Sequence, residues 1–325
     1  MSDPTVVHRT VLTAAAPYDF ALSLRALEGF MPVAGDHRVA DDRVRRALLR
    51  PPDPTAPPDP GAAPGQAAVL VEAGPAAGGV ALAVHAQHPL SAVGRASVET
   101  AVRRWLGLDD DLNAFLAIAR ADPAMAPLLA VAQGLHQVRF ATLAEAAVYF
   151  TLTQRSTQWY AAARKRRLAA EQGASIVVDG VTYPAFPALP AVAALDDEKL
   201  IGYAGNKQRA DRIRSVVEGL AALDEDWLRT GPYDQVRAAL LAVQGIGPFT
   251  ADGLLLRALG RPDDVPLEMA QFTAAAEAVY GEPPPTPAEL RARYGRWIGW
   301  WAYYARTATG WLPRPDPVPE PSRAG

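Results

Sequence analysis

The 325-residue sequence contains no cysteine. Disulfides, thiolate zinc sites, iron–sulfur clusters and cysteine nucleophiles are thereby excluded together, and the chain is indifferent to the redox state of its compartment. Lysine is scarce as well: Lys165, Lys199 and Lys207 are the only three, so 29 of the 32 basic residues are arginine. A mechanism built on a lysine Schiff base has three candidates. No run of about 18 apolar residues without charge occurs, and residues 1–16 lack a basic start followed by an apolar core. Neither membrane spanning nor secretion is therefore expected, and the expected location is the cytoplasm. With 35 acidic against 32 basic residues the net charge is −3, which exerts no global pull on nucleic acid; such a partner has to be read from a local feature. The histidines His8, His37, His85, His88 and His136 are scattered, and His85-x-x-His88 has no further ligand nearby, so no transition-metal site is expected.

Half of the residues are apolar, enough for one large or two modest domains. Residues 50–65 (RPPDPTAPPDPGAAPG) are dense in proline without a hydrophobic period and predict an exposed loop. Before this loop, residues 19–27 have helical spacing; after it, residues 67–72 (AAVLVE) and 79–85 (GVALAVH) predict paired strands. These features predict a small α+β domain over residues 1–95. From Ser97 onward one helix follows another, with starts at Asp109, at Thr142 (TLAE, a capping box with Glu145) and at Thr286 (TPAE, Pro287 first in the helix, Glu289 third). The second domain, residues 96–312, is predicted to be nearly all α. An exception is residues 175–183 (SIVVDGVTY), where two β-branched runs flank Asp179-Gly180, a two-residue hairpin signal. Residues 313–325 form a proline-rich tail expected to be disordered. No internal repeat is present, and a monomer is expected.

The most informative stretch is residues 239–260 (ALLAVQGIGPFTADGLLLRALG). A helix ending near Val243 meets Gly245-Ile246-Gly247, and a second helix begins at Pro248, whose fixed φ suits a first turn. Glycines allow close approach to another surface, and amides at the start of the second helix point outward. A protein can grip a phosphate this way without positive side chains. Downstream come Ala258-Leu-Gly-Arg-Pro-Asp263, then Val265-Pro266-Leu267 and the acid Glu268. Upstream lie Gln154 and Ser156 at the head of a helix, Tyr183-Pro-Ala-Phe-Pro187, and Gly205-Asn-Lys-Gln-Arg-Ala210 opening another helix. The aromatic run of residues 297–304 (WIGWWAYY) completes the set. Taken together and in this order, these blocks resemble the helix-hairpin-helix DNA glycosylase superfamily, in its 3-methyladenine DNA glycosylase II branch. The resemblance spans about residues 100–311, and more weakly the first domain.

What the resemblance implies is specific. Members flip a damaged base out of duplex DNA and break its N-glycosidic bond; a carboxylate stabilises the positive character that develops on the sugar. The implied carboxylate is Glu268 when the Val-Pro-x-acid block is matched without a gap, and the position shifts to Met269 when relatives with one more residue are used. The family's acid is Asp, so Glu268 stands one methylene longer; the alternative role for Glu268 is an ordinary first-turn helix acid. Lyase members carry a lysine after the hairpin, where this chain has Phe249, so the resemblance implies a monofunctional enzyme acting on alkylated purines. The missing cysteines separate the chain from the iron–sulfur branch. The implied base pocket draws on Phe249, Trp159, Tyr160, Trp300 and Trp301, whose π faces attract electron-poor bases. Gln154, Gly245, Gly247 and Thr250 would contact DNA, and Arg155 would either fill the gap left by the flipped base or touch a phosphate. On the following helix, Arg164 and Lys165 belong to the densest basic run (residues 164–167), which either tracks the DNA backbone or forms a solvated face. Family hairpins also bind Na+ or K+ through backbone carbonyls, which map to Leu241, Val243 and Gly245; no other cofactor is implied. The rival reading is a lesion-binding protein of the same fold that has lost catalysis. A weaker one is a helical interaction scaffold.

Overall fold

Short β-branched runs separated by tight turns build the N-terminal sheet. In the computed structural model, which describes residues 4–50 and 67–313, five antiparallel strands take the order β1-β5-β4-β3-β2. They are β1 (Thr5–Thr13), β2 (His37–Ala40), β3 (Arg43–Leu49), β4 (Ala68–Ala76) and β5 (Gly79–Ala86). The two runs that predicted paired strands are β4 and β5, in register from Leu70↔His85 to Ala76↔Gly79. The predicted proline-rich loop, beyond Arg50, and the predicted tail, beyond Pro313, lie outside the described residues. One sheet face, including Val44, Val71, Leu82 and Val84, packs under helices α1 (Phe20–Gly29) and α2 (Ala92–Leu106).

The remaining helices are α3 (Asn113–Arg120), α4 (Ala126–Ala132), α5 (Leu143–Thr153), α6 (Gln158–Gln172), α7 (Leu189–Ala193), α8 (Asp197–Ala204) and α9 (Lys207–Ala221). They continue with α10 (Glu225–Thr230), α11 (Tyr233–Ala242), α12 (Pro248–Arg257), α13 (Ala270–Tyr280), α14 (Pro287–Tyr294) and α15 (Ile298–Ala308). The predicted boundary at residue 95 falls inside α2, and one apolar core runs from Leu12 in β1 to Ala308 in α15. The sheet and the helices therefore share a core through the buried Trp105 instead of meeting at a linker. Among the described residues no single helix is long and apolar enough to cross a membrane.

Local signals succeed where the side chain has nothing better to bind. Thr286 and Glu289 close a full capping box, with Glu289 Oε2 accepting the Thr286 N–H at 2.7 Å. At Thr142 only half a box forms: its hydroxyl accepts the Glu145 N–H at 3.1 Å, but the Glu145 carboxylate turns inward to Arg46 and Lys165. The start predicted at Asp109 moves to Asn113, because Asp110 binds Arg139 at 2.6 Å and Asp111 accepts the Asn113 N–H at 2.9 Å. The Asp179-Gly180 hairpin forms as predicted, with φ of 53° and 72°, joining β6 (Ser175–Val178) to β7 (Val181–Pro184). This hairpin covers the second face of the sheet through Ile176, Val178 and Tyr183 against Ala47 and Leu70.

Candidate nucleic-acid interface

Helices α11 and α12 enclose the glycine hairpin. Gly245 has φ +94°, a conformation that costs any side chain strain. Gly247 is different: its φ of −98° suits any residue, and a Cβ there would meet nothing within 4 Å. The fold therefore does not require glycine at 247. Pro248 begins α12, and the first intrahelical bond is Ala251 N–H to Gly247 C=O at 2.9 Å, so the Phe249 and Thr250 amides are left without a helical acceptor. The Thr250 side chain itself is buried and accepts from Gln154 Nε2 at 3.2 Å. Its hydroxyl points inward to Gln154, so of the groups at Thr250 only the backbone amide is left for the DNA contact expected there.

Gln154 is likewise an internal staple. Its Nε2 reaches the Gly245 carbonyl at 3.4 Å as well as Thr250, and its Oε1 accepts from Arg212. The side chain expected to touch DNA instead fixes the hairpin against the end of α5. Arg155, next in sequence, is exposed, has φ +54° and forms no hydrogen bond or ion pair among the described residues. Trp159, 67% exposed, stands one turn away on α6. This exposed corner, beside the hairpin, is what a wedge into a base stack requires.

A cavity of about 500 Å³ lies on the other side of α12. Phe249, Asp252, Gly253, Leu256 and Arg257 line it at helical spacing. A Cβ on Gly253 would sit 2.6 Å from Phe150 Cε1, so glycine allows α12 to close on α5. Phe249, 42% exposed, meets the Phe150 ring edge-on at 6.0 Å. The opposite walls come from Arg25 and Phe30 of the N-terminal unit, Tyr149 of α5, Met269 and Phe272 at the start of α13, Tyr303 and Arg306 of α15, and Trp311. Asp252 contributes the sole carboxylate of the lining; its Oδ1 accepts from Arg237 Nε at 3.0 Å, and its Oδ2 has no protein donor among the described residues.

Arginine dominates the polar lining. Arg257 stacks 3.8 Å over the Phe30 ring centroid and 5.1 Å from that of Tyr303, Arg25 lies 4.6 Å over Trp311, and Arg306 lies 5.4 Å over Phe272. None of the three guanidinium groups has a carboxylate partner among the described residues. Burial pulls the Arg257 pKa down to about 10, so it remains charged at neutral pH, and burial also pulls Arg306 below its ordinary value. Arg257 Nε and the Tyr149 hydroxyl are buried without a hydrogen-bond partner among the described residues, an arrangement that costs about 1–3 kcal/mol per group. Sequence reasoning missed this cluster. Only Arg257, two turns beyond Phe249 on the same helix face, carried a signal; Arg25 and Arg306 arrive from distant elements.

Several expected site residues are corrected by their surroundings. Glu268 is 64% exposed outside the cavity, with both oxygens on Arg291 at 2.7 and 3.3 Å, a pairing that lowers its pKa. The residue that caps α13 and lines the cavity is Met269. Trp300 and Trp301 are buried core: Trp300 packs 6.3 Å from Phe115, and Trp301 donates to the Tyr280 hydroxyl at 3.2 Å in a cluster built on Asp122. Trp159 and Tyr160 also lie outside the cavity lining, Tyr160 beneath Arg164 at 4.4 Å. Of the five aromatics expected there, Phe249 alone lines it.

Most of the basic run is engaged within the protein as well. Arg164 donates to the Gly202 and Tyr203 carbonyls at the end of α8, Arg166 to the Ala34 carbonyl, and Arg167 pairs with Glu171. Lys165 is buried, bridging Asp36 and Glu145, and Arg46 Nη2 completes the cluster 2.5 Å from Glu145 Oε2. Lys165 and Arg166 thus tie α6 to residues 34–36 of the N-terminal unit, Arg164 ties it to α8, and Arg167 stays on the solvated face. Of the proposed cation-binding carbonyls, that of Val243 accepts the Ile246 N–H at 3.1 Å and that of Gly245 meets Gln154 at 3.4 Å, each with a lone pair to spare. Among the described residues no group of His, Asp or Glu side chains is arranged to hold a metal ion.

A glycine hairpin whose second helix forms one wall of an aromatic, arginine-lined cavity defines a protein of the helix-hairpin-helix class. No protein-family model matches the chain. A probable bifunctional transcriptional activator/DNA repair enzyme AlkA of Mycobacterium tuberculosis is 32% identical over 211 residues, 62% of this chain and 40% of that protein. A DNA-3-methyladenine glycosylase of Bacillus subtilis is 27% identical over 169 residues, 51% of this chain and 56% of that protein. The chain thus spans roughly two fifths to just over half of the length of these curated relatives. The structure of a 3-methyladenine DNA-glycosylase from Archaeoglobus fulgidus shares the fold, with a TM-score of 0.72 at 18% identity, covering 93% of this chain and 98% of that one. The chain is thus similar in sequence to proteins named for DNA repair and 3-methyladenine excision, and it has the helix-hairpin-helix glycosylase fold.

Proposed function

We propose that the protein is a DNA-repair glycosylase that flips a damaged base of duplex DNA into the cavity and hydrolyses its N-glycosidic bond without a lyase step. The observation that carries this reading is that one helix, α12, both starts at the hairpin and lines the cavity, so a phosphate gripped at Gly247 sets the position of a base beside Phe249. The names of the curated relatives, which refer to DNA repair and to 3-methyladenine excision, support it. The Phe249 and Thr250 amides hold the phosphate, Arg155 fills the vacated stack, and Asp252 stabilises the positive sugar. A Na+ or K+ on the Leu241, Val243 and Gly245 carbonyls would stiffen the hairpin. No lyase step is assigned because Phe249 follows Pro248 and no lysine lines the cavity, so water is the nucleophile.

A second reading, lesion binding without excision, is favoured by one observation: the capping position at the cavity is Met269, which carries no charge. A duplex with 2-aminopurine beside a damaged base tests the shared part. Fluorescence should rise on binding, affinity should fall steeply with salt, and Arg155→Asn, which keeps a left-handed turn, should abolish the rise with little loss of affinity. Salt-insensitive binding, or none, would defeat both readings.

A further inference from the structure

We infer that the cavity selects a neutral base bearing carbonyl oxygens, one that leaves its sugar as an anion, and discriminates against cationic alkylated purines. This rests on the reading of the cavity as the base-receiving site. A cationic ring would be held by free aromatic faces and a nearby carboxylate. Here the faces of Phe30, Tyr303, Trp311 and Phe272 already carry the protein's own cations, Arg257, Arg25 and Arg306. The sole carboxylate in the lining, Asp252, is shared with Arg237. A positively charged purine would stand among three like charges, which is unfavourable in a partly desolvated site.

The unmatched groups point the same way. Among the described residues no N–H of the Arg257 guanidinium finds an acceptor, and the Tyr149 hydroxyl has no partner. A guanidinium can only donate, so the partner its Nη groups lack is an acceptor, and a base supplies one as a ring carbonyl. The chemistry is consistent. When the C1′–N bond of a neutral base breaks, its electron pair passes into the ring and spreads onto the carbonyl oxygen, where Arg257 donates to the developing charge. A water oxygen then bonds to C1′, and the water's proton ends on the departed base, leaving an abasic sugar and a neutral free base. A cationic alkylpurine departs already neutral and gains nothing from the arginines.

The test uses the full chain and duplexes carrying a single hypoxanthine, uracil or 7-methylguanine, with free base measured by chromatography and affinity by titration. Wild type should favour hypoxanthine or uracil over 7-methylguanine by at least about tenfold, in release or, where release is absent, in affinity. Arg257→Gln should lower that neutral-base signal about 100-fold and leave the 7-methylguanine signal unchanged or raised. Arg306→Gln, checked for folding, should act in the same direction by a smaller factor. A wild-type preference for 7-methylguanine, or equal losses for both classes in the two variants, overturns the inference while leaving the base-receiving reading intact. Failure to bind any duplex, including an undamaged one, would defeat that reading and this inference with it.

Discussion

Arg291 holds both oxygens of Glu268, Nη1 to Oε1 at 2.7 Å and Nη2 to Oε2 at 3.3 Å, while the next residue, Met269, lines the cavity. An acid that the sequence offers for catalysis is thereby committed to an exposed ion pair with α14. Such pairs contribute about 0–1 kcal/mol, so Glu268→Ala should leave the thermal midpoint almost unchanged and leave base release at the wild-type level. A loss of release in a folded Glu268→Ala protein would return that residue to the chemistry.

The two hairpin glycines should separate stability from binding. Gly245→Ala forces a side chain into a left-handed conformation and should lower stability by about 1–2 kcal/mol in denaturant titrations. Gly247→Ala places its methyl in open space and should leave stability unchanged while weakening duplex affinity about tenfold. Equal behaviour of the two variants would mean that Gly247 has no surface to approach.

The buried cluster predicts a large stability effect at residues that look superficial in the sequence. Glu145→Ala leaves Arg46 and Lys165 without their shared carboxylate and should cost about 3–5 kcal/mol. Lys165→Met should also destabilise, and the double variant should cost less than the sum of the two. The salt dependence of duplex binding should be the same in Lys165→Met as in wild type, because the lysine has no access to DNA.

His37 gives the molecule an acid-side sensitivity. Burial, with Arg46 and Lys165 nearby, lowers its pKa from the ordinary 6.5 to about 4. Below pH 6.5 the unfolded chain takes up a proton that the folded chain refuses, so this contribution to stability is complete above 6.5 and is lost as pH falls toward 4. The stability difference between wild type and His37→Gln should therefore shrink or change sign over that window. Asp36, pushed up to about 7 chiefly by burial, acts in the opposite sense, which is why the difference between variants is the quantity to measure.

Local chemistry made the hairpin, the Asp179-Gly180 turn and the Thr286 cap legible, because each is decided by residues within a few positions of one another. The cavity was legible only along α12, where Phe249 announces a face that continues to Arg257. Residues whose partners arrive from afar were misread. Lys165 looked like surface because Asp36 and Glu145 are 129 and 20 residues away, and Trp300 and Trp301 looked like a pocket because their core neighbours are remote in the chain. The Glu268 expectation failed by a single residue: the chain turns at Pro266 and Leu267, so the side chain that reaches the cavity belongs to Met269.

If the glycosidic bond is cut in the cavity beside the hairpin, Asp252 is the carboxylate that the reaction needs. The direct measurement is single-turnover release of hypoxanthine from a duplex by wild type, Asp252→Asn and Glu268→Ala, each checked for folding and duplex affinity. Wild type and Glu268→Ala should release the base at equal rates, and Asp252→Asn should lose about 100-fold or more. Full release by Asp252→Asn, or tight duplex binding by wild type with no abasic site formed, would contradict this assignment.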